Sequence, residues 1–260
     1  MRPEILGSQV IDEIINRYTI SHIDGIFCGN AVGTGGNLGR LMGLMCNLPN
    51  SVPAITVDMQ CASALMSIEI AYAHIVSGIM DSAIAGGIES SSLQPERVYA
   101  SGDDREGPYK VAQFTPQDQS PLAMLKGAER TIHKYNVTKE DLYPHIIGSH
   151  QRASAALDNP YLQSYIMPIT IDGKRCIDEC IRPTMNEKLL SRMKPLLGAD
   201  SITNAGNACL THDGAAFVYL SNKKGPFKIH SVKPWAGNPQ FSPEGALEST
   251  EGILKRTGLT

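Results

Sequence analysis

The sequence predicts an α/β fold whose sheet is at least partly parallel and covered by helices on both faces. Three observations lead there. The β-branched segment around Val52, Ile55 and Val57 runs into Cys61 and then into a helical repeat, and a second apolar strand follows at Ile79 to Ile88. Strand, helix, strand is a crossover unit, which pairs its strands in parallel and lays the helix on the sheet. Before it, an amphipathic helix and a glycine-bounded apolar strand open the chain. With 260 residues and 42% hydrophobic content, there is enough apolar material for one substantial core or two smaller ones.

Each element has a local reason. Ile5, Leu6, Val10, Ile11, Ile14 and Ile15 recur at the i, i+3, i+4 spacing of a helix that buries one stripe. Gly25 to Val32 is apolar and flanked by glycine, as a buried strand would be; the GTGGN loop then leads to a helix over about Leu38 to Leu48, stopped by Pro49 and Pro53. Proline excludes helix at the start of VPAITVDMQ, so that segment reads as a strand. From Ser63, the positions Leu65, Ile68, Ala71, Tyr72, Ile75 and Val76 are helical, and Gly78 supplies the stop. Ser90 to Lys194 is polar and irregular apart from helix-like stretches at Met124 to Tyr135 and Tyr143 to Leu157, which suits an inserted cap. Ala215 to Ser221 reads as one further core strand. Alternation at Ile229 and Val232 then gives way to a helix over about Gly245 to Thr257. No internal repeat is found.

Charge and composition exclude several function classes. Lys and Arg number 23 against 26 Asp and Glu, a net charge of -3, which lacks the broad basic surface of a nucleic-acid binder. No apolar run reaches the ~20 residues of a membrane span. The opening MRPEILGSQV has neither the basic nor the apolar region of an export signal. A cytoplasmic protein is expected, bound to neither membrane nor nucleic acid. Six cysteines (Cys28, Cys46, Cys61, Cys176, Cys180, Cys209) then read as thiols rather than a disulfide framework. Cys176 and Cys180 stand four apart without the CxxC or HxxxH partners that zinc prefers, so no metal is expected.

Cys61 is the candidate nucleophile. A cysteine at the first turn of a helix meets unpaired backbone N–H groups and the positive end of the helix dipole, which favours thiolate over thiol. The preceding strand delivers it to the carboxyl edge of the sheet, where ligands of open α/β sheets bind, and the same N–H groups can serve an oxyanion. Against this stands the commoner role of cysteine as buried packing.

The string VDMQCASALMSIEIAYAHIVSGIMDSAIAGGIESSSLQP resembles the nucleophile region of the thiolase family: a Cys-x-Ser-Gly-Leu turn, a helix, then Ala-Gly-Gly-x-Glu-Ser-x-Ser and a proline. Met124 to Glu129 (MLKGAE) is similar to the family's Met-Gly-x-x-Ala-Glu helix, and Asn204 to Ala216 (NAGNACLTHDGAA) to its Ala-Gly-Asn-Ala-Ser-x-x-Asn-Asp-Gly-Ala segment. The resemblance runs from about Glu4 to Thr260. It implies a thiolase-like fold: a mixed five-stranded sheet covered by helices on both faces, an inserted loop domain and an incomplete second half. The segments would be an N-terminal core (1–92), a CoA-binding loop domain (93–195), the last part of the core (196–224) and the start of the C-terminal half (225–260).

The resemblance also implies chemistry. Cys61 would carry an acyl group as a thioester, in condensation or in thiolytic cleavage of 3-ketoacyl-CoA. Met124, Arg182, Ala205, Gly206 and Cys209 would border CoA, with Arg182 suited to pair with phosphate or stack on adenine. CoA and acetyl-CoA enter as substrates, with no resident cofactor. Homo-oligomers, or pairing with a complementary C-terminal half, would be expected. The sequence also departs from the family. Its Asn-Glu-Ala-Phe, Gly-His-Pro and second-cysteine motifs are not present, and neither is its opening Arg-Thr-Pro strand; acid-base help of that kind is worth about 10²- to 10⁴-fold. Ala64 replaces a glycine, Ala123 a common pocket histidine and Cys209 a serine, while His212 beside Asp213 replaces a common asparagine. His212 invites reading as a substitute base for Cys61, but in the family that position serves the loop's structure rather than the reaction. A catalytically incomplete subunit that binds CoA or a partner is therefore the alternative. A condensing enzyme acting on acyl-carrier protein is a third reading, which AGGIESSS disfavours.

Overall fold

The computed structural model describes residues 1–259; Thr260, the end of the expected 225–260 segment, lies outside them. The chain forms two compact units, one of residues 1–110 and 211–234, the other of residues 111–210 and 235–260. In chain order the elements are α1 (Pro3–Arg17), β1 (Gly25–Gly29), α2 (Leu38–Met45), β2 (Ala54–Val57), α3 (Ser63–Val76) and β3 (Ser82–Ser90). There follow the short strands β4 (Arg97–Val98) and β5 (Pro108–Tyr109), α4 (Ala123–Lys134), α5 (Lys139–Leu157), α6 (Pro160–Gln163), β6 (Thr170–Ile171), β7 (Lys174–Arg175), α7 (Glu187–Leu190), β8 (Asp213–Ser221) and α8 (Glu244–Thr257).

The first unit is built on a sheet of order β2-β1-β3-β8. β1 pairs in parallel with β2 and β3, and β8 runs antiparallel to β3. The period-2 alternation of side chains sorts the core into two layers. Ile26, Cys28, Ile84 and Ile88 pack with Ile11 of α1 and with Leu38 and Met42 of α2. Phe27, Ala83 and Ala85 face the other way, onto Ala71, Ile68 and Ile75 of α3. Helices thus cover both faces, as the crossover pattern requires.

Three details depart from the sequence reading. The sheet has four strands among the described residues, where the resemblance implied five. β8, read as a core strand, is an edge strand: Ala215 and Phe217 reach the core while Val218 and Tyr219 stay exposed, because only one neighbour pairs with it. The alternation at Ile229 and Val232 forms no strand; none occurs in the described residues 222–243, and alternation without a partner ladder leaves backbone groups unpaired. Two boundaries also move. β3 starts at Ser82 because Gly78, at φ 75°, turns the chain out of α3 and the N–H groups of Ile79 and Met80 bond back to the His74 carbonyl. α5 starts at Lys139, four residues early, because Thr138 and Asp141 form a capping box.

In the second unit, Glu129 of α4 holds the 201–203 segment. It accepts hydrogen bonds from Ser201 Oγ (2.9 Å), Ile202 N–H (2.8 Å), Thr203 N–H (3.0 Å) and the Thr203 hydroxyl. Lys134 of α4 pairs with the buried Glu244 of α8 at 2.6 Å. Among the described residues, no helix is long and apolar enough to cross a membrane.

Candidate active site

Cys61 lies in the short connection between β2 and α3, and sequence explains how closely that helix meets the sheet. Gly29 ends β1 and Gly87 lies in β3, both beneath the first turn of α3. A Cβ on Gly29 would sit 2.5 Å from Ala64 N and from Ser63 C; one on Gly87 would sit 2.9 Å from Ala64 Cβ. Glycine is what permits so near an approach. One turn on, the fully buried Ser67 fastens the helix to β3: its hydroxyl lies 2.7 Å from the Gly86 carbonyl and accepts the Gly86 N–H at 2.9 Å.

Within the connection, Gln60 adopts a left-handed φ of 51°, a region that side chains other than glycine seldom occupy. The Asp58 carboxylate accepts the Gln60 N–H at 2.9 Å. The Ser63 hydroxyl accepts the Met59 N–H at 2.8 Å and donates to the Gln60 carbonyl at 2.6 Å. Cys61 is left exposed. The N-cap residue, Ala62, offers no side-chain acceptor to the helix, so the residue bearing the sulfur immediately precedes an uncapped, positive helix end. Cys28 and Cys46 contrast with it: burial pushes both thiols up to about 12, leaving them as packing groups.

The strand register gathers further polar groups at the same edge. β1, β2 and β3 all end there, with Gly29 opposite Val57 and Gly87, and β8 begins there, with Asp213 opposite Ser90. Glu89 accepts from Asn30 Nδ2 (2.7 Å), Ala31 N–H (2.9 Å) and Val32 N–H (3.1 Å). That turns the chain away at Asn30 and shortens β1 relative to the expected Gly25 to Val32. Asp213 accepts from Ser92 N–H and Ser90 Oγ, each at 3.0 Å, and from the Ser92 hydroxyl. Burial would raise its carboxyl, but the bonds from Ser92 and Ser90 outweigh burial and hold it below its ordinary value. His212 is exposed at the start of β8, on this edge, and its carbonyl takes a long contact (3.4 Å) from Ser91 Oγ.

The residues expected to border CoA all fall in the second unit. Met124, in the first turn of α4, is 45% exposed. Ala205, Gly206 and Cys209 share one loop, braced by Asn204 and Asn207. Asn207 Oδ1 accepts the Asn204 N–H (2.7 Å), Asn204 Oδ1 accepts the Gly206 N–H (2.8 Å), and Asn207 Nδ2 donates to the Ile202 carbonyl (3.0 Å). Gly206 packs so tightly that a Cβ there would meet Leu190 and Met193 at 2.7 Å. Ala205 and Cys209 are exposed. Arg182 is exposed too, and its N–H donates to His150 Nδ1 at 3.2 Å. The loop thus unites three of the five residues, and the Glu129 anchor ties it to the helix of Met124. The turn formed by Asp58, Gln60 and Ser63 escaped the sequence reading. Its available signal was Asp58 two residues before Gln60 and a serine four residues after Met59, the spacing of side chains that cap a tight turn.

Fold and edge geometry define an α/β protein with an exposed cysteine where a strand hands over to a helix. Comparisons with known proteins narrow this. The family model of the thiolase N-terminal domain matches residues 1–224. VraB of Staphylococcus epidermidis, a candidate acetyl-CoA C-acetyltransferase, is 34% identical over 280 aligned residues, covering 100% of this chain and 72% of that protein. VraB of Staphylococcus aureus strain MSSA476 is 30% identical with the same coverage. The crystal structure of the Bacillus anthracis acetyl-CoA acetyltransferase superposes with a TM-score of 0.84 at 22% identity, covering 99% of this chain and 71% of that one, which shows the fold. The chain belongs to the thiolase family and carries its N-terminal half.

Proposed function

We propose that the protein is an acyl-CoA acyltransferase of the thiolase type in which Cys61 carries the acyl group. The Cys61 sulfur attacks the thioester carbonyl of acyl-CoA, the carbon–sulfur bond to CoA breaks, and CoA leaves with the proton that Cys61 gave up. In condensation, the α-carbon of acetyl-CoA, its proton taken by a base that a complementary C-terminal half would supply, attacks the acyl-enzyme; the carbon–sulfur bond to Cys61 breaks, Cys61 takes up a proton and a 3-ketoacyl-CoA departs. Cleavage of a 3-ketoacyl-CoA by CoA is the reverse. The observation that carries the reading is one exposed cysteine, preceding an uncapped helix end at the carboxyl edge of the sheet, in a chain of this family.

Met124, Ala205, Gly206 and Cys209 would border the pantetheine arm, and the exposed Arg182 guanidinium would meet the nucleotide phosphates or adenine. Assembly with a second copy or a complementary C-terminal half belongs to the same proposal. The test is incubation with acetyl-CoA labelled in its acetyl carbon, with and without an added C-terminal thiolase half, followed by peptide mapping. One acetyl group on the Cys61 peptide, lost in Cys61→Ala, is expected. Absence of Cys61-dependent label under both conditions would overturn the proposal.

A further inference from the structure

We infer that Ser63 is a positioning residue: its hydroxyl holds the left-handed turn at Gln60 and thereby fixes where the Cys61 sulfur stands. The inference rests on Cys61 being the nucleophile but adds a role for a residue that itself touches no substrate. Ser63 is buried, with 5% of the residue exposed, and its hydroxyl is occupied in both directions, by the Met59 N–H at 2.8 Å and the Gln60 carbonyl at 2.6 Å. It therefore spans the residues immediately before Cys61 and fastens them to the first residue of α3. Between these ties Gln60 sits at φ 51°. That conformation is unfavourable for a residue with a Cβ and persists only where its surroundings over-determine it. Asp58 supplies one side-chain constraint, through the Gln60 N–H, and the Ser63 hydroxyl supplies two more, beside the backbone bonds from the Ala62 N–H to the Met59 carbonyl (3.1 Å) and from the Ser63 N–H to the Gln60 carbonyl (3.0 Å). With Ser63 truncated, the Met59 N–H loses its partner and the Gln60 carbonyl keeps only the Ser63 backbone N–H at 3.0 Å; the turn relaxes toward ordinary φ, and the sulfur moves off its station before the helix. Misplacement by about 1 Å costs on the order of 10²-fold in reactions that depend on orientation.

A structural role alone would weaken the whole unit, whereas a positioning role can be relieved at one bond. Glycine reaches positive φ at no steric cost, so Gln60→Gly added to Ser63→Ala should restore the turn without restoring the hydroxyl. The experiment measures the rate of Cys61 acetylation by acetyl-CoA in the wild type, Ser63→Ala, Ser63→Ala with Gln60→Gly, and Gln60→Val, which keeps Ser63 but places a β-branched residue at positive φ. In parallel, iodoacetamide alkylation of each cysteine is mapped by mass spectrometry. Expected are an acetylation rate at least tenfold lower in Ser63→Ala and Gln60→Val, with the half-saturating acetyl-CoA concentration unchanged, and recovery to within about threefold in the double variant. Alkylation should fall at Cys61 relative to Cys176 and Cys209, while the buried Cys28 and Cys46 stay protected. Exposure of Cys28 and Cys46 in Ser63→Ala would mean unfolding, and Gln60→Val then decides. Unchanged acetylation and an unchanged Cys61 alkylation ratio in the folded variants would overturn the inference. A wild type that alkylates but never acetylates at Cys61 would overturn the acyltransferase reading, and the alkylation ratio would still judge the positioning role.

Discussion

Replacing Gly29 with alanine tests the link between packing and chemistry most directly. The added Cβ would lie 2.5 Å from Ala64 N and Ser63 C and 2.8 Å from Ser63 O. All three are backbone atoms at the start of α3, so no side-chain rotation relieves the contact. Reaching ordinary contact at 3.4 Å requires the helix start to back away by about 1 Å. Overpacking of this kind costs about 1–3 kcal/mol, and the backbone nature of the clash puts Gly29→Ala near the upper end. For a chain of this size, each kcal/mol lowers Tm by about 2–4 °C, so a fall of roughly 5–10 °C is expected by thermal denaturation. The same displacement moves Cys61, which immediately precedes that helix, and should slow its acetylation by on the order of 10²-fold. A variant that melts and acetylates like the wild type would refute the idea that the glycine sets the helix against the sheet.

Further outcomes follow from the same geometry. Ser67→Ala removes the partner of the Gly86 N–H inside the core and should cost about 1–3 kcal/mol in denaturant unfolding, whereas Ser77→Ala, at the exposed end of α3, should cost little. Asp24, Glu129 and Asp213 are each held below their ordinary values. For Asp24 the leading cause is the Asp81 N–H; for the other two, burial works to raise the carboxyl and the hydrogen bonds it accepts outweigh that. A carboxyl lowered on folding contributes stability that is complete above its unfolded value and is lost as pH falls through its folded one. Unfolding free energy should therefore hold steady above about pH 5 and decline below about pH 4, and Glu129→Gln should flatten part of that decline. In native protein, iodoacetamide should modify Cys61, Cys176 and Cys209 and spare Cys28 and Cys46, whose thiols burial pushes up to about 12; equal labelling of Cys28 would contradict the core assignment.

Much of the fold was legible because it is local. The apolar stripe of α1 and the repeat from Ser63 follow from contacts three and four residues apart, and the two strands flanking α3 follow from β-branched residues and bounding prolines and glycines. Cys61 was legible for the same reason, since a thiol between a strand and a helix needs no distant information to be noticed. Element ends were less so. The Thr138 cap of α5 outranked the start suggested at Tyr143, and the Glu89 carboxylate, far along the chain, ended β1 at Gly29.

The sequence by itself determined an α/β chain with a cysteine at a strand-to-helix junction and a thiolase-like order of motifs. The tertiary structure alone decided the strand order β2-β1-β3-β8, the edge position of β8, the near contact of Gly29 with the helix start, and the clasp of Ser63 on Gln60. The division has a physical cause. Helical and strand periodicity is written in neighbouring residues, whereas pairs such as Ser67 with Gly86, Asn30 with Glu89 and Ser90 with Asp213 join residues that are distant along the chain. Such pairs are chosen only when burial of at least one partner makes an unpaired polar group more costly than the entropy of closing the loop between them.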